Sequence, residues 1–168
     1  MEKKKRTCNM FKSRWCNFEH LAEITTNQIS LRSNSIHGAS HWKRVERNGL
    51  HLSAHTGADV MVVRLFAWFH DARRQNDRID PGHGRRGADY AAALRRQMFD
   101  LEEDAFEKLV FACTWHTDQI LSTDPTIGTC WDADRLDLGR VGITPSVSFM
   151  STAFGKELVR TRTYHDLR

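Results

Sequence analysis

GADVMVVRLFAWFHD, residues 57–71, is the most informative stretch of the chain. The stretch is almost wholly apolar. It is too long for an ordinary strand and suits a helix buried in a core. It ends on His70 and Asp71, an imidazole and a carboxylate side by side at the mouth of that helix. The segment that follows, RRQNDRIDPGHG, is polar and marked by Gly and Pro, which is the composition of a loop. GRRGADYAAALRRQMF comes next, Ala-rich with its charges on one side, and predicts an amphipathic helix.

DLEEDAFEKLVFACTWHTD carries acids at its start, as a helix N-terminus favours, and repeats Leu109, Ala112 and Trp115 or His116 at helical spacing. STDPTIGTC reads as a loop. TCWDADRLDLGRVGI reads as a helix ending near Gly142 and Pro145, and VSFMSTAFGKELV as a last short helix. Upstream, SIHGASHWKRVERNG predicts a helix over residues 36–48 closed by Gly49. LAEITTNQI is the nearest thing to a strand, yet it also fits a helical face through Leu21, Ile24, Gln28 and Ile29. With three prolines in 168 residues, the expectation is an all-α single domain of six or seven helices. Its limits are expected at 18–155, with a basic extension over 1–17 and a tail over 156–168.

Hydrophobic content of 40% and charged content of 27% are ordinary for a globular chain. No apolar run is long enough to cross a bilayer, so no membrane partner is expected. MEKKKRTCNMFKSRWCNF opens with a basic cluster but continues into no apolar core, which argues against a secretory signal and makes the cytoplasm the expected location. The net charge of +4 owes much to Lys3, Lys4, Lys5 and Arg6, which read as a solvated tail. Nucleic acid is disfavoured as a partner, because the chain lacks interleaved aromatics and a recognisable reading helix. Four cysteines form no CxxC pair. Cys113 sits in an apolar run and reads as buried, and a Cys8–Cys16 zinc site lacks ligands beyond His20.

The placement of the nine histidines says more than their number. A terminal His70-Asp71 pair can offer one nitrogen and one oxygen to a single cation, a mixed set that suits Zn, Mn, Fe, Co, Ni or Mg. Taken alone, His70 could equally cap the helix and Asp71 begin a loop. A second His-Asp pair, His165-Asp166, follows nothing apolar and reads as chance. His37 and His41 stand four apart and face the same way, with Arg44 beyond them. His116 lies on the apolar side of its helix. Asp132, Asp134 and Asp137 crowd one stretch, with Asp134 on the face of Leu138 and the other two expected to point elsewhere.

The order His41, His70-Asp71, Asp134 resembles the H…HD…D signature of the HD superfamily of metal-dependent phosphohydrolases. HGASHWKRVERNG, FAWFHD, DPGHGRRGA, WHT and DADRLDLGRVGI each look like blocks of a bacterial HD branch, in the right order over residues 36–143. The resemblance implies an all-helical fold and a divalent cation held by His41, His70, Asp71 and Asp134. His41 takes the first place because it immediately precedes Trp42 and the following Arg44-Val45. His83 and His116 match, in order, the extra histidines of two-metal members, so one or two cations per chain are expected. His37 is then a residue that supports the ligands or binds substrate. Both chain ends depart from the family, and ARRQNDR offers only Asp77 where some members carry a Glu-Asp pair.

The expected function is therefore metal-dependent hydrolysis of a small phosphate ester or anhydride, with a nucleotide as the substrate class by analogy. A cation with an open position acidifies water and polarises a phosphoryl oxygen. Arg44, Arg73 and Arg85 are the arginines expected to neutralise phosphate. Asp71 is expected to hold or bridge metal, and Asp77 to orient the water. The rival reading is a non-catalytic sensor of the same fold that holds a metal or nucleotide. A zinc peptidase is weaker still, since Leu52 follows His51 in HLSAH where a Glu base would be needed.

Overall fold

The computed structural model describes residues 14–29, 31 and 35–167; the basic cluster of residues 3–6 and Cys8 lie outside the described residues. Among them are seven α-helices: α1 (Phe18–Asn27), α2 (Ala39–Thr56), α3 (Val60–Phe69), α4 (His83–Leu94), α5 (Glu103–Trp115), α6 (Pro125–Arg135) and α7 (Ala153–Thr161). Short 3-10 turns occupy Leu138–Val141, Val147–Phe149 and Thr163–Leu167. The domain is all-helical, as expected, apart from a pair of two-residue strands. These strands, β1 (Trp15–Cys16) and β2 (Phe99–Asp100), are antiparallel. LAEITTNQI is helical through Asn27 as the greater part of α1, with Gln28 as its C-cap and Ile29 beyond it.

Helix α3 is the apolar stretch at 57–71, and it packs against α2, α5 and α6. Phe66 and Phe69 on α3 are fully buried, with Trp42 from α2 and Trp131 from α6. Truncating one such aromatic costs about 3–5 kcal/mol. The helix begins at Val60 rather than Gly57 for a local reason. Gly57 takes a left-handed conformation (φ 69°) that closes α2, and the Asp59 carboxylate then accepts from the amides of Met61 and Val62 to cap α3.

Three further boundaries differ from the sequence reading. Helix α2 does not stop at Gly49 but runs on to Thr56. A Cβ at position 49 would lie 2.4 Å from Val63 Cγ1, so this glycine brings α2 and α3 together rather than ending a helix. STDPTIGTC is not wholly a loop. Asp124 accepts from the amides of Thr126 and Ile127, Pro125 occupies the first turn, and α6 starts there. The expected helix over TCWDADRLDLGRVGI is thus the second half of α6 followed by a 3-10 turn. Helix α7 crosses residue 155, where a tail was expected to begin, and Leu158, Val159 and Tyr164 are buried.

Helix α4 is pressed close to its neighbours. A Cβ on Gly84 would meet the Cys113 carbonyl oxygen at 2.3 Å, and one on Gly87 would meet that of Phe69 at 2.2 Å. The bare glycine face lets α4 lie against the C-terminal ends of α3 and α5, and so delivers His83 to the ends that carry His70 and His116.

Among the described residues no helix is long and apolar enough to cross a membrane.

Candidate metal centre

The C-terminal end of α3 is where the chemistry collects. Residue 70 continues α3 in helical conformation, its amide bonded to the Phe66 carbonyl, so its ring folds back along the core and stacks on Phe66 at 4.9 Å. His41, near the start of α2, meets it: the two Nε2 atoms lie 3.1 Å apart. Asp134, near the end of α6, puts Oδ1 at 3.3 Å from His41 Nε2 and 3.9 Å from His70 Nε2. Asp71 puts Oδ2 at 3.7 and 3.8 Å from the same two nitrogens. His41, His70 and Asp71 are all buried, and Asp134 nearly so.

The other oxygen of Asp71 faces a second set. Oδ1 lies 3.2 Å from His83 Nε2 and 3.7 Å from His116 Nε2, and these two nitrogens are 3.0 Å apart. Asp71, His83 and His116 thus form a second buried group with one donor atom each. Donor atoms about 3–4 Å apart are what ligands bound at roughly 2.0–2.2 Å around a shared ion present.

The hydrogen bonds fix which nitrogen each ring offers. His70 Nδ1 is 3.1 Å from the carbonyl oxygens of Phe66 and Ala67, His83 Nδ1 is 2.7 Å from that of Asp80, and His116 Nδ1 is 2.7 Å from that of Cys113. His41 Nδ1 is 2.7 Å from Asp137 Oδ2. Carbonyl and carboxylate oxygens only accept, so each of these Nδ1 atoms carries a hydrogen and each Nε2 faces inward, with a lone pair to offer whenever its ring is neutral. Such orientation of imidazole by an acceptor behind it is the usual support of a metal-binding histidine. Two neutral rings cannot satisfy each other Nε2 to Nε2, so the space between them calls for a positive charge. The residues present therefore fit a divalent cation.

The ionisation equilibria agree. Burial would raise the Asp71 carboxyl, but His70 and hydrogen bonds from His116, His37 and His83 outweigh it and hold the group well below the usual range. Asp134 behaves alike: burial opposes ionisation, and His41, His70 and Arg140 overcome it. Burial lowers His70 to about 3. Burial also works to lower His41 and His116, but Asp134 and Asp137 raise the first and Asp71 raises the second. Two buried carboxylates are thus ionised among rings that compete to supply one or two protons.

The remaining expected site residues are placed as follows. His37 Nδ1 lies 2.9 Å from Asp71 Oδ2, on a candidate ligand itself. Arg44 donates through Nε to Asp137 Oδ1 at 2.7 Å, behind His41. Asp77 is exposed and accepts from the Ser35 hydroxyl, whose oxygen also accepts from the His37 amide. Arg73 and Arg85 are not brought to the ligand group. Arg73 stacks on Tyr90, 3.7 Å from the ring centre, and donates to Gln28. Arg85 is exposed and pairs with Asp89 one turn along α4. His55 of HLSAH stacks on Phe154, and His165 is exposed.

Three participants were not anticipated. Asp137, expected to point elsewhere, accepts from both His41 and Arg44. Arg140 places NH2 3.4 Å from His37 Nδ1 and donates to the carbonyls of Ile36 and Asp137. Arg74 lies buried against His83 and Asp71. Both arginines follow an aspartate of the centre by three residues, a one-turn spacing that the sequence does display. Asp132, by contrast, is turned away from the ligands and accepts from the amides of Ser151 and Thr152 and from the Thr152 hydroxyl.

No family model matches the chain, and no curated protein matches it in sequence. Among solved structures it is similar to a predicted HD superfamily hydrolase from an uncultured Thermotogales bacterium, with a TM-score of 0.70 over 90% of this chain and 88% of that one, at 20% identity. The resemblance read from the order of His41, His70-Asp71 and Asp134 is thereby met at the level of architecture: this chain has the fold of an HD superfamily hydrolase.

Proposed function

We infer that this protein is a metal-dependent phosphohydrolase acting on a small phosphate ester or anhydride, with a nucleotide as the expected substrate. One observation carries the reading: Asp71 divides its two oxygens between two imidazole pairs, all four rings offering Nε2 inward. His41, His70, Asp71 and Asp134 would hold one divalent cation, and Asp71, His83 and His116 provide for a second. Such a cation, when bound, polarises a phosphoryl oxygen and lowers the pKa of water.

The rest is the work of this chain's own groups. Asp137 fixes the His41 ring and is itself fixed by Arg44, so one ligand is held by two supports. His37 contacts Asp71 and lies beside Arg140, which brings a nitrogen base and a guanidinium to one edge of the ligand group. A guanidinium there can bind phosphate that Asp71 and Asp134 would otherwise repel. Asp77, tied through Ser35 to the His37 loop, is retained as the acid that orients water.

The test is a panel of phosphate esters and nucleotides assayed with several divalent metals, with Asp71→Ala as control. Turnover that needs both metal and Asp71 is expected. Tight nucleotide binding with no hydrolysis across the panel would replace this reading with the sensor; neither binding nor hydrolysis would discard both.

A further inference from the structure

Arg74 occupies a position that a surface arginine does not. It is only 7% exposed, and each guanidinium nitrogen has a partner. Nε lies 3.3 Å from the Asn76 carbonyl oxygen and NH2 2.8 Å from that of Arg78. NH1 stands 3.0 Å from His83 Nε2 and 3.4 Å from Asp71 Oδ1. Those are two of the three donor atoms of the second ligand group.

The valence of His83 makes this contact decisive. Its Nδ1 hydrogen goes to the Asp80 carbonyl, which leaves one lone pair, on Nε2. That lone pair accepts from Arg74, and a lone pair so engaged cannot also bind a cation. The two arrangements exclude one another. In the first ligand group no arginine engages a ring lone pair among the described residues: Arg44 and Arg140 donate to Asp137 and to main-chain carbonyls, and the contact on the Asp71 oxygen of that group is His37 Nδ1 at 2.9 Å, which leaves a carboxylate oxygen a further lone pair.

We propose that the Arg74 guanidinium holds the place of the second cation, so that the chain keeps one divalent ion firmly and admits a second only when Arg74 turns away from His83. The proposal rests on the metal-centre reading above and adds a gate to it. It also gives the gate a mechanical consequence. The loop carbonyls of Asn76 and Arg78 lose their donor when Arg74 leaves, so loading the second position loosens the 75–80 loop.

Metal stoichiometry tests this without reference to turnover. Purified wild type is titrated with Mn2+, and bound metal per chain is read by calorimetry and elemental analysis. One tight ion is expected, with any second binding weaker by about ten- to a hundredfold, the scale of one charge-assisted hydrogen bond. Arg74→Met should bind two ions of comparable affinity, and adding His83→Ala should return it to one. Should Arg74→Met fail to fold by circular dichroism, Arg74→Gln serves in its place. A wild type that already binds two ions equally, or a folded variant that still binds one, overturns the gate while leaving the metal centre intact. A wild type that binds no divalent ion removes the centre and the gate together.

Discussion

His41 and His70 face each other through their Nε2 atoms at 3.1 Å, and both have their Nδ1 hydrogens engaged behind them, His41 on Asp137 and His70 on the Phe66 and Ala67 carbonyls. Neither ring can turn to relieve the other without breaking a buried hydrogen bond. The pair is preorganised for something positive between the rings. His70→Ala or Asp71→Ala should therefore remove most bound metal, as elemental analysis of the purified variants will read. Wild-type metal content in both would place the site elsewhere.

Asp132 and Asp134 share helix α6 and face opposite surroundings, Asp134 the imidazoles of His41 and His70 and Asp132 the donors of Ser151 and Thr152. Asp134→Ala should lose metal and keep its fold. Asp132→Asn should keep metal and lose stability. Burial raises the Asp132 carboxyl, and the donors from Ser151 and Thr152 pull it back. An amide in its place would turn its NH2 towards the main-chain N–H of Ser151 or of Thr152, each of which can only donate. The cost should be about 1–3 kcal/mol, visible as a lower midpoint in chemical denaturation. Metal loss from the Asp132 variant with an unchanged midpoint would reverse the two assignments.

Metal binding should release protons. In the cation-free protein, burial tends to lower His41 and His116, but their carboxylate neighbours win and set both above 6.5. Below those raised values each ring holds a proton that a cation must displace. Affinity should therefore fall as pH falls and level off at alkaline pH. His70, at about 3, and the ionised Asp71 and Asp134 have no proton to give near neutrality. Calorimetry at about pH 6 in buffers of different ionisation enthalpy should show one to two protons released per chain on loading. Affinity that does not change between about pH 6 and pH 8 would contradict this.

The parts of this centre that were legible in the sequence are those tied to one helix end. The apolar run of α3 announces burial, and its terminal His70-Asp71 needs no partner to be noticed. His83 and His116 were reached only through the order of motifs, because the glycine face of α4 that joins them is set by packing across the chain. The start of α6 is written in Asp124-Pro125, a cap followed by a first-turn proline, but the polar run around it has the composition of a loop. Beyond its spacing from Asp71, nothing in the sequence sets Arg74 apart from Arg73 and Arg85, because arginines in one polar run look alike. Only the turn after α3 sends Arg74 inward, while Arg73 goes to Tyr90. The strand pairing of Trp15–Cys16 with Phe99–Asp100 has too short a pattern to be seen beforehand.

If the proposed function holds, phosphate should depend on Arg140 and not on Arg85. Arg140 has a side chain only 11% exposed, with Nε on the Ile36 carbonyl and NH2 beside His37, whose own Nδ1 touches Asp71. Its charge already reaches the ligands, since it helps to hold Asp134 ionised. A phosphate approaching Asp71 and Asp134 meets two negative groups, and a cation fixed at their edge offsets the repulsion most where solvent screens least. Arg85 is exposed on α4, spends its charge on Asp89, and sits among water and salt. Arg140→Ala should weaken inhibition by inorganic phosphate, or raise KM for the preferred substrate, by about ten- to a hundredfold, the scale of one lost charge-assisted contact. Metal content should stay as in wild type, because Arg140 contacts no ligand atom of the first group. Arg140→Lys should recover part of the loss by keeping the charge without the planar fork. Arg85→Ala should leave phosphate affinity and metal content unchanged. The opposite pattern, a loss at Arg85 and none at Arg140, would move the phosphate to the outer face of α4 and away from the edge formed by His37 and Arg140.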